Sequence, residues 1–177
     1  MNTALEMFTF AKENCFGHDT FLYHTALRDF EVVEGQLAPH EKVILSFMGE
    51  YKRRNGEALG HFAFALTDEK LIMGQKRISS EKSKQVYLKQ FTDIRKKVYF
   101  MYGELIFDFQ NDLFVVVMDP KDTTKTYNAI TRLLGSREQK NDIDEIAQEI
   151  LRFRKLAEEG YVTWSDFEEK KRKMLGI

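Results

Sequence analysis

Residues 59–77 read LGHFAFALTDEKLIMGQKR: two runs dense in Phe, Leu, Ile and Met, 59–66 and 70–77, parted by Thr67-Asp68-Glu69. Because those three residues suit a type I turn, the stretch predicts two antiparallel strands joined as a hairpin. The pattern continues outward on both sides. Runs rich in Val, Ile, Phe and Tyr recur at 42–51, 84–88, 93–101, 104–109 and 113–118, which brings the count to seven strands with turn residues between them. Tyr102-Gly103, where glycine offers a positive φ, and Asn111-Asp112, which fits a two-residue hairpin, make the region an antiparallel meander.

Past the last run the period changes. In MDPKDTTKTYNAITRLLG (118–135), Asp119 is placed to cap a helix, Pro120 to occupy its first position, and Thr123, Tyr127, Ile130 and Leu134 to form one stripe. Gly135 is expected to stop it. Seven antiparallel strands followed by one amphipathic helix is the layout of a pleckstrin-homology-like (PH-like) barrel, in which the helix covers an open end. An eight- or ten-stranded lipocalin-type barrel would need more chain.

Ahead of the strands, apolar residues from Leu5 to Leu37 fall at helical spacing, most clearly Tyr23, Leu27, Phe30, Val33 and Leu37. They predict two or three short helices, broken at Gly17, capped by Asp19 or Thr20 and ended before Pro39. Behind the strands, SREQKN (136–141) reads as a polar linker. Ile143, Ile146, Ala147, Ile150 and Phe153 then make a second helical stripe ending at Gly160. Thr163 and Asp166 resemble a capping box that starts a last helix, with Trp164, Phe167, Lys171 and Leu175 on a common face. The predicted organisation is α+β, with a helical segment at 1–39, a barrel domain at 40–135 and a two-helix hairpin at 141–177.

Composition narrows the function classes. At 177 residues, 43 % hydrophobic and 13 % aromatic, with two Pro and ten Gly, the chain is a globular one. It holds no apolar run near the roughly 20 residues that span a bilayer. The start, MNTALEMFTFAKENC, lacks the pattern of a secretory signal, so a cytoplasmic location is expected. Cys15 is the single cysteine, which rules out an intrachain disulfide and a cysteine-based zinc site within one chain. The net charge is −1, but residues 41–135 carry 16 basic and 12 acidic groups, against 2 and 6 in 1–40 and 9 and 10 in 136–177. A mildly basic middle between acidic or neutral ends is a poor nucleic-acid coat.

Two stretches carry a family resemblance. DIDEIAQEILRFRKLAEEGYVTWSDFEEKKRKMLGI, at the C-terminus, resembles the SHOCT module, a short C-terminal domain of prokaryotic proteins. The matching positions are Leu156, Gly160, Tyr161 with Val162, Thr163, Asp166, Phe167, Lys170 with Lys171, Leu175 and Gly176; Tyr161 and Met174 depart from the pattern. HEKVILSFMGEY and FALTDEKLIMG are similar to the opening strand and the following hairpin of the bacterial PH domains, chiefly through Leu66, Thr67, Lys70, Leu71 and Ile72. The resemblance implies a bacterial protein with a PH-like barrel and a SHOCT tail, and it attaches oligomerisation or partner binding to the tail. Residues 1–38 lie outside it.

Candidate chemistry is sparse. Lys52, Arg53 and Arg54, ahead of Asn55-Gly56, and Lys76 with Arg77, followed by Lys82 and Lys84, put basic groups in two loops where PH domains that bind inositol phosphates hold theirs. The run 59–66 has no Lys or Arg where that eukaryotic pattern needs one, and solvated loop charges account for the rest. Arg95, Lys96 and Lys97 read as guards of a strand edge. His18, His24, His40 and His61 sit on different elements with no ligand spacing, and no nucleophile motif is present, so neither a metal, a cofactor nor a catalytic residue is expected. Tyr87, Tyr99, Phe100 and Tyr102 could stack bases, but strand alternation favours their lining the barrel.

What remains is the tail. Two helices of this size cannot bury enough surface to order themselves alone, so Ile146, Ile150, Phe153, Trp164, Phe167 and Leu175 are expected to lie against the barrel, the N-terminal helices or another subunit. The sequence therefore points to a non-catalytic interaction or scaffold protein, with a homo-oligomer or protein partner contacted through the helical tail. The alternative is a peripheral membrane module whose basic loops take an anionic lipid or other anion. No nucleic-acid partner is expected.

Overall fold

A computed structural model describes the backbone of residues 1–17, 23–110 and 112–175, and the side chains of these except 23, 24, 136–146 and 175. The expectations placed on His18, Asp19, Thr20, Asn111, Gly176 and the side chains of Tyr23, His24, Ile143, Ile146 and Leu175 lie outside the described residues. The chain divides into two compact units, Met1–Thr131 and Arg132–Ile177.

In the first unit, helices α1 (Ala4–Asn14) and α2 (Tyr23–Glu34) precede strands β1 (Val43–Arg53), β2 (Ala58–Thr67), β3 (Lys70–Lys76), β4 (Glu81–Tyr87), β5 (Phe91–Val98), β6 (Gly103–Phe109) and β7 (Asp112–Met118). They form one antiparallel sheet in the order β4-β3-β2-β1-β7-β6-β5. β4 and β5 are thus opposite edges, yet a single 3₁₀ turn, Leu88–Gln90, connects them. Flat, edges six spacings apart would lie about 29 Å from one another, whereas the chain from Tyr87 to Phe91 reaches about 14 Å. The sheet must therefore roll up. It does not close by hydrogen bonds; the covalent turn joins its edges.

The roll encloses an aromatic core. Phe47 stacks on Phe64 at 4.8 Å and faces Phe107 at 6.1 Å, although β1 and β6 are not ladder neighbours. Phe107 and Phe109 stack on Phe114, and Tyr51 meets Phe62 and Phe114 edge-on. The seam between the two halves is short, Glu50–Arg53 against Phe114–Val117, so the first part of β1 is free to bend away from β7.

The outer face of β1–β3 is covered too. On β2, Phe62, Phe64 and Leu66 point into the roll, while Ala63 and Ala65 join Met48 and Ile72 beneath Met7, Phe8 and Ala11 of α1 and Phe30 and Val33 of α2. Small residues let the helices sit close. A Cβ on Gly74 would fall 2.9 Å from the Asp29 carbonyl oxygen. α1 and α2 therefore share a core with the outer face of the sheet. α1 starts on a capping box, Thr3 with Glu6, whose carboxylate is held below its usual pKa mainly by the Asn2 and Thr3 N–H groups. α2 ends at Glu34, before Pro39 is reached, with the Gly35 N–H bonding back to the Glu31 carbonyl.

Two buried polar groups tie helices to sheet. The Glu41 carboxylate is 3.0 Å from Lys70 Nζ and accepts from Thr67 Oγ1 (2.7 Å) and the Ala38 N–H (3.0 Å). Burial opposes its charge, but these donors outweigh burial and hold its pKa below the ordinary value. Lys70 Nζ also donates to Gln85 Oε1 and the Gln36 carbonyl, so one knot fastens the exit of α2, the entry of β1 and the β2–β3 turn. Thr67 and Lys70, prominent in the sequence resemblance, are thus structural fasteners. On α2, Asp29 Oδ1 accepts from the Lys76 N–H at 2.7 Å, and burial pushes its carboxyl up to about 6.

The helix after the strands corrects the sequence reading. α3 runs Pro120–Glu158, through Gly135 and through the stretch read as a linker, and the boundary between units falls within it. Ser, Arg, Glu, Gln and Lys are adequate helix formers, and one internal glycine costs only about 1 kcal/mol. Its start is as expected: the Lys121 N–H donates to Asp119 Oδ1, and Thr123 and Ile130 are buried. Gly103 adopts no positive φ; its missing Cβ makes room for Thr123, whose Oγ1 would lie 2.4 Å from that carbon.

In the second unit α3 ends at Glu158, two residues before Gly160 at φ +81°, and α4 (Trp164–Leu175) follows. Asp166 Oδ2 accepts from the Thr163 N–H and hydroxyl, and the Asp166 N–H donates to Thr163 Oγ1. The expected capping box forms, and the Thr163 hydroxyl is the main reason that the Asp166 carboxyl is held below its usual pKa. Phe167 and Ala157 are buried, and Lys170 Nζ on α4 lies over the Phe153 ring and 3.7 Å from Glu149, both on α3.

Candidate functional site

The basic loops come to the same end of the sheet, since Arg77 Nη2 donates to the Leu59 carbonyl at the start of β2 (2.8 Å). Most of their charges already have partners. Lys52 pairs with Glu50 (3.5 Å), Arg53 with Glu57 (2.9 Å) and Lys76 with Glu81, while Arg77 also donates to Gln75 Oε1. Arg54, exposed, has no ion pair among the described residues. Lys84, from the same sequence stretch, pairs with Asp112 and sits over the Phe114 ring. Beside Lys76 a cavity of about 240 Å³ is lined by Arg28, Glu31 and Glu81, which mix both signs of charge.

At the other end of β7 the structure overturns an expectation. β5 stops at Val98, three residues before the end of the run 93–101, and Tyr99 to Tyr102 form a four-residue hairpin tip closed by the Tyr99 N–H to the Tyr102 carbonyl (2.8 Å). Tyr87, Tyr99 and Tyr102 are 40–45 % exposed and Phe100 is 98 % exposed, so none of them lines the roll. Local alternation suggested the interior, but the strand pair ends first and its apolar residues run on into the turn. The Tyr99 and Tyr102 rings pack at 4.6 Å, and Met101 beside Phe100 is 82 % exposed. Behind the tip lies an open groove of about 500 Å³, lined among others by Met101, Tyr102, Glu50, His61, Asp119 and Asp122.

Lys52 Nζ reaches to 6.0 Å from the Tyr102 ring, and Lys96 Nζ to 4.9 Å from the Tyr127 ring on α3. Arg95 pairs with Asp93 and Asp108, whereas Lys97 has no ion pair among the described residues. The aromatic tip could have been suspected in the sequence from VYFMYG alone, since three aromatics and a Met abut a glycine turn.

Of the predicted tail residues, Phe167 is buried, Phe153 and Ile150 are half-buried and Trp164 is 54 % exposed, edge-on to Phe167 at 5.7 Å. Tyr161, Leu151 and Leu156 are exposed as well. No helix among the described residues is long and apolar enough to cross a membrane. Compared with protein-family models and with curated proteins, the chain finds no match in either.

Proposed function

We propose that this chain is a non-catalytic interaction protein, a PH-like sheet unit of the bacterial kind joined to a SHOCT-like helical hairpin that associates with a second copy of the chain. The observation that supports this reading is the division of the hairpin's apolar residues: Phe167 and Ala157 are used internally, while Trp164 and Tyr161, 54 % and 76 % exposed, are left facing outward. Aromatic residues of this size are the usual anchors of protein contacts. Light-scattering mass of the full chain tests it. The expected result is a multiple of the chain mass for the wild type and a monomer for Trp164→Ser/Tyr161→Ser with unchanged circular dichroism; a monomeric wild type overturns it.

The alternative, an anion site at Lys52, Arg53, Arg54, Lys76 and Arg77, is weaker, because four of these five groups already face a carboxylate or a carbonyl. Its test is loss of anionic-vesicle binding on reversing Lys52, Arg53 and Arg54 to Glu.

A further inference from the structure

We infer that the β5–β6 hairpin tip, Tyr99-Phe100-Met101-Tyr102, is a wedge that docks the protein on an anionic lipid surface. The tip is a four-residue loop whose Phe100 and Met101 are almost fully exposed, so its apolar side chains are free to enter another phase. Its chemistry is layered. Phe100 and Met101 stand out at 98 % and 82 % exposure, the half-exposed Tyr99 and Tyr102 rings flank them and pack on each other at 4.6 Å, and Lys96 and Lys97 precede them on β5.

That order matches half a bilayer: apolar side chains toward the acyl boundary, tyrosines at the interface, cations at the phosphates. Of the cations beside the tip, Arg95 is paired with Asp93 and Asp108, and Lys96 and Lys97, which form no ion pair among the described residues, favour an anionic surface. The groove carboxylates Glu50, Asp119 and Asp122 lie behind the tip and limit how far it enters. The wedge is preformed, because the Tyr99–Tyr102 hydrogen bond and ring contact fix the loop before it meets a surface.

The test is flotation of the full chain with vesicles of phosphatidylcholine alone or with about one-third phosphatidylglycerol. Wild type is expected to float with the anionic vesicles and to release at high salt. Phe100→Ser/Met101→Ser should bind at least about tenfold more weakly, with an unchanged thermal midpoint because both side chains are exposed. Lys96→Glu/Lys97→Glu should lose the preference for anionic vesicles. Three results would overturn the inference: no flotation of the wild type, flotation indifferent to the tip but abolished by the Glu reversals at Arg53 and Arg54, or a tip-dependent complex with protein or nucleic acid and none with vesicles. Solution mass, measured separately, shows whether the tail reading stands or falls on its own.

Discussion

The two units are stabilised by different kinds of contact. In Met1–Thr131 the fully buried side chains include Phe30, Phe47, Phe64, Phe107 and Phe114, and the polar knot at Glu41 draws together residues from 36 to 85. In Arg132–Ile177 the buried hydrophobic residues among those described are Ala157 and Phe167, and the fastenings are a capping box, pairs one helical turn apart such as Arg154–Glu158, and the Lys170–Glu149 pair between α4 and α3. Long-range burial makes the first unit cooperative; the second depends on local contacts, each worth a fraction of a kcal/mol to about 1. Local contacts open more easily than long-range burial does.

The sharpest way to break this contrast is Phe47→Ala, which leaves a cavity against Phe64 and Phe107. A loss of about 3–5 kcal/mol in denaturant unfolding of the sheet is expected. Next comes Glu41→Gln, which strands the buried Lys70 ammonium and should cost about 3 kcal/mol by the same measurement. Phe167→Ala is expected to lose about 2 kcal/mol, confined to α4 and the end of α3. Hydrogen exchange checks it: faster exchange in 164–175 with β1–β3 amides still protected supports separate cores, and uniform acceleration refutes them.

Asp29 gives a smaller, pH-dependent effect. Its folded pKa of about 6 exceeds the ordinary 3.8, so its contribution is fully present below 3.8 and is lost as pH rises through 6. Stability should fall by about 1–1.5 kcal/mol between pH 5 and 7.5, and Asp29→Asn, which keeps an acceptor for the Lys76 N–H, should flatten that slope in thermal melts. Smallest is Thr163→Ala, with about 1 kcal/mol lost from α4 alone, read as helicity of the tail.

What the sequence disclosed follows the same division. The seven strands, the Asp119-Pro120 helix start, the Gly160 stop and the Thr163–Asp166 cap rest on neighbouring residues, and local chemistry is written locally. The Glu41–Lys70 pair and the Asp29 bond to the Lys76 N–H join residues far apart in the chain, so no spacing announces them. Gly135 misled because a glycine stop signal and an internal glycine look alike until the flanking helix is seen. The tip misled differently: Tyr99, Phe100 and Tyr102 have strand-like chemistry, and only the position of the turn decides that they face out.

The sheet's wiring also sets an order of assembly. β1–β4 and β5–β7 are each meanders whose pairings link successive strands, while the four-pair seam joins Glu50 to Val117 across almost the whole sequence of the sheet. Closing that long loop costs entropy before the seam returns any contact, so the seam is the natural bottleneck of folding. Weakening Val115 or Val116 would then slow refolding, whereas weakening the edge strand β4 would chiefly hasten unfolding. The short 3₁₀ turn at Leu88–Gln90 holds the two meanders within reach of each other while the seam forms.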